Sequence, residues 1–286
     1  MTDKEVCMAV TKARHGELWA EEILSNRLAC STVTWGRNPD VLQMLSEIKD
    51  AGYAGVEFQQ PIEWLGDATA LKSMVDGMGL EIAAFYHGSA LLTNDTAELD
   101  EHRRAIDYAA SLGTRVYMIA GGWISGRSAE ENDYQVLARN LDTLGKYASD
   151  QGLLLSFHPH MGSIVENLDQ VDILLGLTDG FSLCPDTAHL VAAGSDPVQT
   201  ILRHGDRTTH FHLKDYKRPS DGVYSGRCFV ELGEGDAGLD FPAIFSALDQ
   251  VGYHEWLVVE LDYTRTSAFT SAAQSMQYLM GLLGQQ

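Results

Sequence analysis

Cations are scarce in this chain of 286 residues: 20 Lys and Arg stand against 40 Asp and Glu, a formal net charge of −20. Nucleic-acid binding needs clustered Lys and Arg that neutralise phosphates, and no such cluster occurs, so no nucleic-acid partner is expected. The imbalance also argues against steering of a strongly anionic substrate, and a solvated acidic surface accounts for it. Cysteine is sparse as well. Cys7, Cys30, Cys184 and Cys228 form no CxxC pair, no zinc-knuckle spacing and no small disulfide framework. Free thiols in a reducing compartment follow, and the expected location is cytoplasmic. No run approaches the roughly 20 apolar residues of a membrane helix, and the N-terminal stretch with Lys4, Lys12 and Arg14 lacks the apolar core of a secretion signal. No membrane partner is expected. No glycine-rich phosphate turn follows the first two strand-like segments, which disfavours an open dinucleotide-binding sheet. No low-complexity tract or linker divides the chain.

Apolar residues make up 45% of the sequence, ordinary for a globular protein. Residues 1–27 read as a polar, partly helical extension in which Leu18, Ala20, Ile23 and Leu24 form a weak apolar stripe. From residue 28 onward, strand-like and helix-like segments alternate. Strands are expected at 28–35, 55–58, 80–85, 115–119, 153–157, 181–184, 209–213 and 256–260. Helices are expected at 39–51, 68–78, 97–111, 130–151, 167–175, 197–204, 241–251 and 266–283. Eight strand–helix units in one series predict an α/β fold, a closed (β/α)8 barrel, as a single domain over 28–286. Such barrels commonly take about 250 residues, and the carboxyl ends of all their strands converge on one face.

Four of the later strands end in groups that bind metals. They are His158 and His160, Asp186 and His189, His210 and His212, and Glu260 and Asp262. Imidazole and carboxylate together hold divalent metals with a position left for substrate. Side chains alternate along a strand, so both members of a pair spaced by two can face inward. Spacing leaves open which member binds metal and which holds substrate. Singly, each has a plainer account: a lone histidine is a structural residue, Asp186 caps a helix, Glu260 pairs with an arginine. Four such ends in succession favour a metal site. Glu57 ends the second strand and His87 follows the third, so both can face the same mouth. Glu57 either bonds substrate hydroxyls or supports a metal ligand from behind. Trp35, Trp64 and Trp123 lie in loops after strands, where aromatic rings serve either as walls for a sugar ring or as core packing.

These residues, with Thr34-Trp35-Gly36, His158-Pro159-His160-Met161-Gly162, Asp186-Thr187-Ala188-His189-Leu190, His212-Leu213-Lys214-Asp215 and Gly233-Glu234-Gly235, resemble the xylose isomerase-like barrel superfamily from Leu28 onward. Within it they are most similar to the inosose dehydratases, which remove water from 2-keto-myo-inositol. The resemblance implies His158, Asp186, His212 and Glu260 as metal ligands. It implies His189 and Arg218 at positions that hold substrate oxygens. His160, His189 and Lys214 become candidates for proton transfer, with Asp215 as the residue expected to tie Lys214 down. Glu57, His87, Arg218 and Trp35 become candidates for substrate binding. In the superfamily's epimerases the strand-five ligand is a Glu that also moves protons; an imidazole there removes one of two bases. Elimination needs one base and one acid, so a metal-dependent lyase is expected ahead of a keto-sugar isomerase or epimerase. The mixed ligand set suits Mn²⁺ or Co²⁺ ahead of Mg²⁺ and Zn²⁺. Cleavage of oxidised carbon-linked glycosides with a small partner subunit is a further alternative, the loop 217–228 then serving as partner surface or lid. Assembly as a homo-oligomer is expected from the resemblance alone.

Overall fold

The computed structural model describes Trp19, Ile23 and residues 27–283, apart from 94, 221, 223 and 224. Eight parallel strands form one sheet: β1 (Leu28–Ser31), β2 (Gly55–Phe58), β3 (Glu81–Tyr86), β4 (Val116–Ile119), β5 (Leu154–Phe157), β6 (Ser182–Leu183), β7 (Phe211–Leu213) and, after a small antiparallel ladder of β8 (Asp215–Tyr216) and β9 (Phe229–Val230), β10 (Leu257–Val259). Their order is β6-β5-β4-β3-β2-β1-β10-β7. The two ends of that sheet meet through parallel bridges, Leu183 to Thr208 and Asp186 to His212. Those bridges close the barrel, and the second one pairs two of the predicted metal ligands directly.

Helices follow the strands: α1 (Val41–Asp50), the single-turn α2 (Ile62–Leu65), α3 (Ala68–Gly77), α4 (Thr96–Leu112), α5 (Glu131–Asp150), α6 (Leu168–Leu175), the short α7 (Thr187–Ala192), α8 (Pro197–His204), α9 (Phe241–Gln250) and α10 (Ala268–Leu283). Their starts are set by local chemistry. Asp40, Asp67, Asp95, Asp186, Asp196 and Asp240 each cap a helix by accepting backbone N–H bonds. Gly113 closes α4 in the left-handed conformation that a side chain resists.

The strands are short, nearly continuous apolar runs, as expected where both faces are covered. Core side chains such as Ile48, Val75, Ile106, Leu141, Leu174 and Leu248 join the helices to the barrel wall. Ala29, Ala83, Trp256 and Val258 form a separate cluster at the amino-terminal end of the barrel. The Trp256 ring lies where a side chain on Gly55 would stand, so residue 55 has to be glycine.

Two expectations change. The first strand stops at Ser31 and the chain then turns through a 3-10 helix, Thr32–Trp35, because the Ser31 side chain accepts from Val33 N–H and ends the extended run. The long loop after β7 is partly ordered as the β8–β9 ladder. Of the extension, Trp19 donates from its indole nitrogen to the Tyr253 carbonyl at 2.7 Å and Ile23 is buried in the core. Leu18, Ala20 and Leu24 lie outside the described residues, as does Cys7. Cys30, Cys184 and Cys228 are buried free thiols. No helix among the described residues is long and apolar enough to cross a membrane.

A candidate metal centre at the carboxyl ends of the strands

His158 follows β5, Asp186 follows β6, His212 sits in β7 and Glu260 follows β10. Each offers a ligand atom, and the four atoms lie within 4.8 Å of one another. All four residues are buried. The way each is held decides what it can do. Nδ1–H of His158 donates to the Cys184 carbonyl at 3.0 Å, which leaves its Nε2 lone pair free. Asp186 uses one oxygen to cap α7, accepting from Ala188 N and His189 N at 2.8 and 2.9 Å. Its other oxygen, Oδ2, is fully buried and has no hydrogen-bond partner. It lies 3.6 Å from Lys214 Nζ and 3.8 Å from His212 Nδ1, too far for a hydrogen bond to either. An orphaned carboxylate oxygen in a native interior calls for an explanation. Here it faces imidazole and carboxylate, the donor set of a divalent ion, and the residues present fit one.

Lys214 is the main cation of the site. Its Nζ lies 2.8 Å from Glu260 Oε2, 2.9 Å from Asp262 Oδ2 and 3.2 Å from His189 Nε2, with the side chain wholly buried. Burial alone would favour a neutral amine, but Asp262, Glu260 and Asp186 outweigh it and hold the ammonium well above its ordinary pKa. Glu260 is driven the other way: burial would raise it, and Lys214 and His212 pull it well below the carboxylate range. Asp186 is pushed up, by burial first, with Lys214 opposing. His212 resists burial through Cys184, Glu57 and Glu260 and is held well above its usual value. Asp215, expected to tie Lys214 down, does something else. Its Oδ2 accepts from Gly233 N and Gly235 N at 2.9 and 3.0 Å, which explains the Gly-Glu-Gly piece as an amide cradle.

Beside the four stand two more imidazoles. His160 and His189 lie 4.0 Å apart between ring centroids with their planes tilted by 39°, and His158 is within 5.6 Å of both. His160 donates from Nδ1 to the Met161 carbonyl at 2.8 Å, so its Nε2 carries the lone pair. His189 accepts at Nδ1 from Met161 N–H at 3.2 Å. A neutral ring has one lone pair, so with Nδ1 engaged, the contact of Nε2 with Lys214 is a packing contact rather than a hydrogen bond. Burial pushes the pKa of all three rings down, with His212 adding to it at His158 and Lys214 at His160 and His189. They are neutral. His160 alone of the three reaches solvent, being half-buried while His158 and His189 are buried.

The remaining predicted residues divide. His87 lines a cavity of 430 Å³ with Gln59, Tyr86 and Arg104, and Gln59 reaches from there to Glu260 Oε1 at 2.6 Å. Glu57 has no exposed surface and lies behind His212. Trp35 is half-buried on the core and commits its indole N–H to Glu47 at 2.7 Å. The Arg218 guanidinium is exposed and donates to the carbonyls of Asp236 and Ala237 at 2.5 and 2.9 Å. Trp123 packs edge-on against His160 at 5.6 Å, while Trp64 is exposed. Gln59 was missed from the sequence. The signal available was its place one residue past β2, on the face where the other strand ends gather.

A family model described as the xylose isomerase-like TIM barrel matches residues 45–282. The chain belongs to that family. Its relatives include the rhizopine catabolism protein MocC of Rhizobium meliloti, 30% identical over 88% of this chain and 86% of the relative. The inosose dehydratase of Clostridium beijerinckii is 29% identical over 85% of this chain and 90% of its own length. Among solved structures, the IolI protein with a bound zinc atom superposes with a TM-score of 0.76 at 18% identity, covering 91% of this chain and 98% of that one. At that identity the likeness shows the fold.

Proposed function

We propose that this protein is a metal-dependent carbon–oxygen lyase that removes water from a cyclic ketopolyol of the 2-keto-myo-inositol type. His158, Asp186, His212 and Glu260 would hold the divalent ion. The single observation that carries this reading is the orphaned Oδ2 of Asp186, buried within reach of three other ligands of the right type. Similarity to inosose dehydratases over most of the chain supports the substrate class. A bound divalent ion supplies Lewis acidity, which makes the proton next to a carbonyl easier to remove.

The protein residues then have distinct tasks. His160 takes the proton, because its Nε2 lone pair is free and the ring, alone of the three, is partly exposed. The C–H electron pair, delocalised toward the carbonyl, then forms a double bond to the neighbouring carbon as that carbon's C–O bond breaks, the C–O pair leaving with the hydroxyl. The imidazolium just formed is the strongest acid at hand and returns its proton to the departing hydroxyl, which leaves as water. Lys214 stays an ammonium and offsets negative charge that develops beside Glu260. Imidazole with carboxylate and an oxygen-rich substrate favours Mn²⁺ or Co²⁺. A cytoplasmic homo-oligomer with the catalytic barrel over 28–286 completes the reading.

The test is to incubate the Mn²⁺-loaded protein with 2-keto-myo-inositol in D₂O and follow products by mass spectrometry. Loss of water, abolished by a chelator and restored by metal, is the expected result. Deuterium uptake at unchanged molecular formula would move the assignment to an isomerase or epimerase.

A further inference from the structure

Behind the four ligands lies a second buried layer with no exposed surface: Glu57 of β2 and His210, which directly precedes β7. One oxygen of Glu57, Oε2, sits 3.1 Å from His212 Nε2 and 2.8 Å from His210 Nε2. Its other oxygen accepts from the Gln59 amide at 3.1 Å, and the same amide reaches Glu260 at 2.6 Å. The opposite nitrogen of His212, Nδ1, faces Glu260 at 2.9 Å and Asp186 at 3.8 Å. The two sides of one ring are therefore committed to different layers. The backbone is built for this: the β2–β3 ladder slips by one residue between Val56 and Glu57, so that Glu57 pairs with Ala84 and Ala83 is left over. A bulge at such a point re-aims a side chain.

We infer that Glu57 is a positioning residue that sets the tautomer of His212, accepting Nε2–H so that Nδ1 presents its lone pair to the ion. His210 has the companion task of holding Glu57 in place: its Nε2–H fills the same carboxylate oxygen, while its own Nδ1 is buried without a partner. A carboxylate behind a ligand imidazole fixes the ring and raises its basicity, and its loss typically weakens metal binding 10- to 100-fold. The inference rests on the four-ligand reading of the site and adds which nitrogen of His212 serves it.

The test uses the full chain, labelled with ¹⁵N-histidine and loaded with Zn²⁺ as a diamagnetic probe. Long-range ¹H–¹⁵N correlation should find His212 coordinated through Nδ1 and protonated at Nε2. Coordination through Nε2 would overturn the inference from the wild-type spectrum alone, whatever the variants do. In E57L, Zn²⁺ affinity measured against a chelating dye should fall about 10- to 100-fold. E57Q, whose amide oxygen can still accept the N–H, should keep Nδ1 coordination and lose less affinity. A folded E57L with unchanged affinity and unchanged coordination would refute the role of Glu57 while leaving the metal centre standing. Failure of the wild type to bind Zn²⁺, or D186N binding it as tightly as wild type, would remove the metal centre and this inference with it.

Discussion

Replacing Lys214 with methionine separates two tasks of the site, because the ammonium and a divalent ion answer the same carboxylates. The wild-type Nζ is wholly buried, 2.8 Å from Glu260, 2.9 Å from Asp262 and 3.6 Å from Asp186. Removing one partner from a buried ion network costs about 3–5 kcal/mol, because the charges left behind lose their compensation. The lower end applies here. Asp262 is 32% exposed and can turn to water, and Glu260 keeps the His212 imidazole at 2.9 Å. In chelator, K214M should therefore lose about 3 kcal/mol of stability. With the ion bound, its charge faces Asp186 and Glu260 in place of Nζ, and most of that loss should disappear.

Ion affinity moves in the opposite direction from stability. An ammonium and a divalent ion about 4 Å apart repel by about 8 kcal/mol at an effective dielectric of about 20. If relaxation removes two thirds of that, about 2.7 kcal/mol remains, about a hundredfold gain in affinity once the ammonium is gone. Urea denaturation with EDTA and with saturating Mn²⁺, together with calorimetric titration of Mn²⁺, reads both quantities. A K214M protein that is equally destabilised with and without Mn²⁺, or that binds Mn²⁺ more weakly than wild type, would refute the reasoning.

Asp186→Asn should lower Mn²⁺ affinity at least about 100-fold in calorimetry, since a ligand matters no less than its support, while the retained Oδ1 still caps α7. His160→Phe should reduce kcat by about 10²- to 10⁴-fold with Mn²⁺ affinity unchanged, as steady-state kinetics and titration would show. His102 is buried between Ser89 at 2.7 Å and Tyr117 at 2.6 Å, and burial lowers its pKa from 6.5 to about 3. The unfolded chain thus takes up this proton at a higher pH than the folded one, so stability from neutral His102 falls as pH drops from 6.5 toward 3. At pH 5 the loss is about 2 kcal/mol, and urea titrations should show that part of the pH dependence missing in His102→Gln. Gly145→Ala should destabilise by about 1–3 kcal/mol despite the better helix former, because the new methyl group meets the Gly180 carbonyl; urea denaturation checks it.

Much of the fold was legible because each unit repeats one signal. Apolar runs such as Gly55–Phe58 are read as strands, and Asp caps open helices close to where the pattern placed them: Asp40 two residues late, at Val41, and Asp240 at the expected Phe241. The series of eight then leaves little choice but closure. What periodicity could not show was where an extended run stops. Thr32–Trp35 are β-branched or aromatic residues and read as strand, yet one side-chain bond from Ser31 turns them into a 3-10 helix. Local hydroxyl-to-backbone bonds of this kind compete with the ladder, and composition does not announce them.

At the site, the legible part is what lies on one strand, and the hidden part is what spans strands. His210, His212 and Lys214 recur at the strand period, so a shared inward face follows from the sequence. Their division of labour does not follow. Glu57 meets His210 across 153 positions of sequence, and that meeting depends on the slip in the β2–β3 ladder that no residue type marks. The same holds for Asp215, adjacent to Lys214 in sequence but turned to Gly233 and Gly235 in space. Successive residues of a strand point to opposite faces, so Lys214 finds its carboxylates on β10's far end, at Glu260 and Asp262, rather than next door. Chemistry that needs several charges around one point is therefore assembled between neighbouring strands. A sequence reveals which strands contribute, and the register of the barrel decides which oxygen each contribution meets.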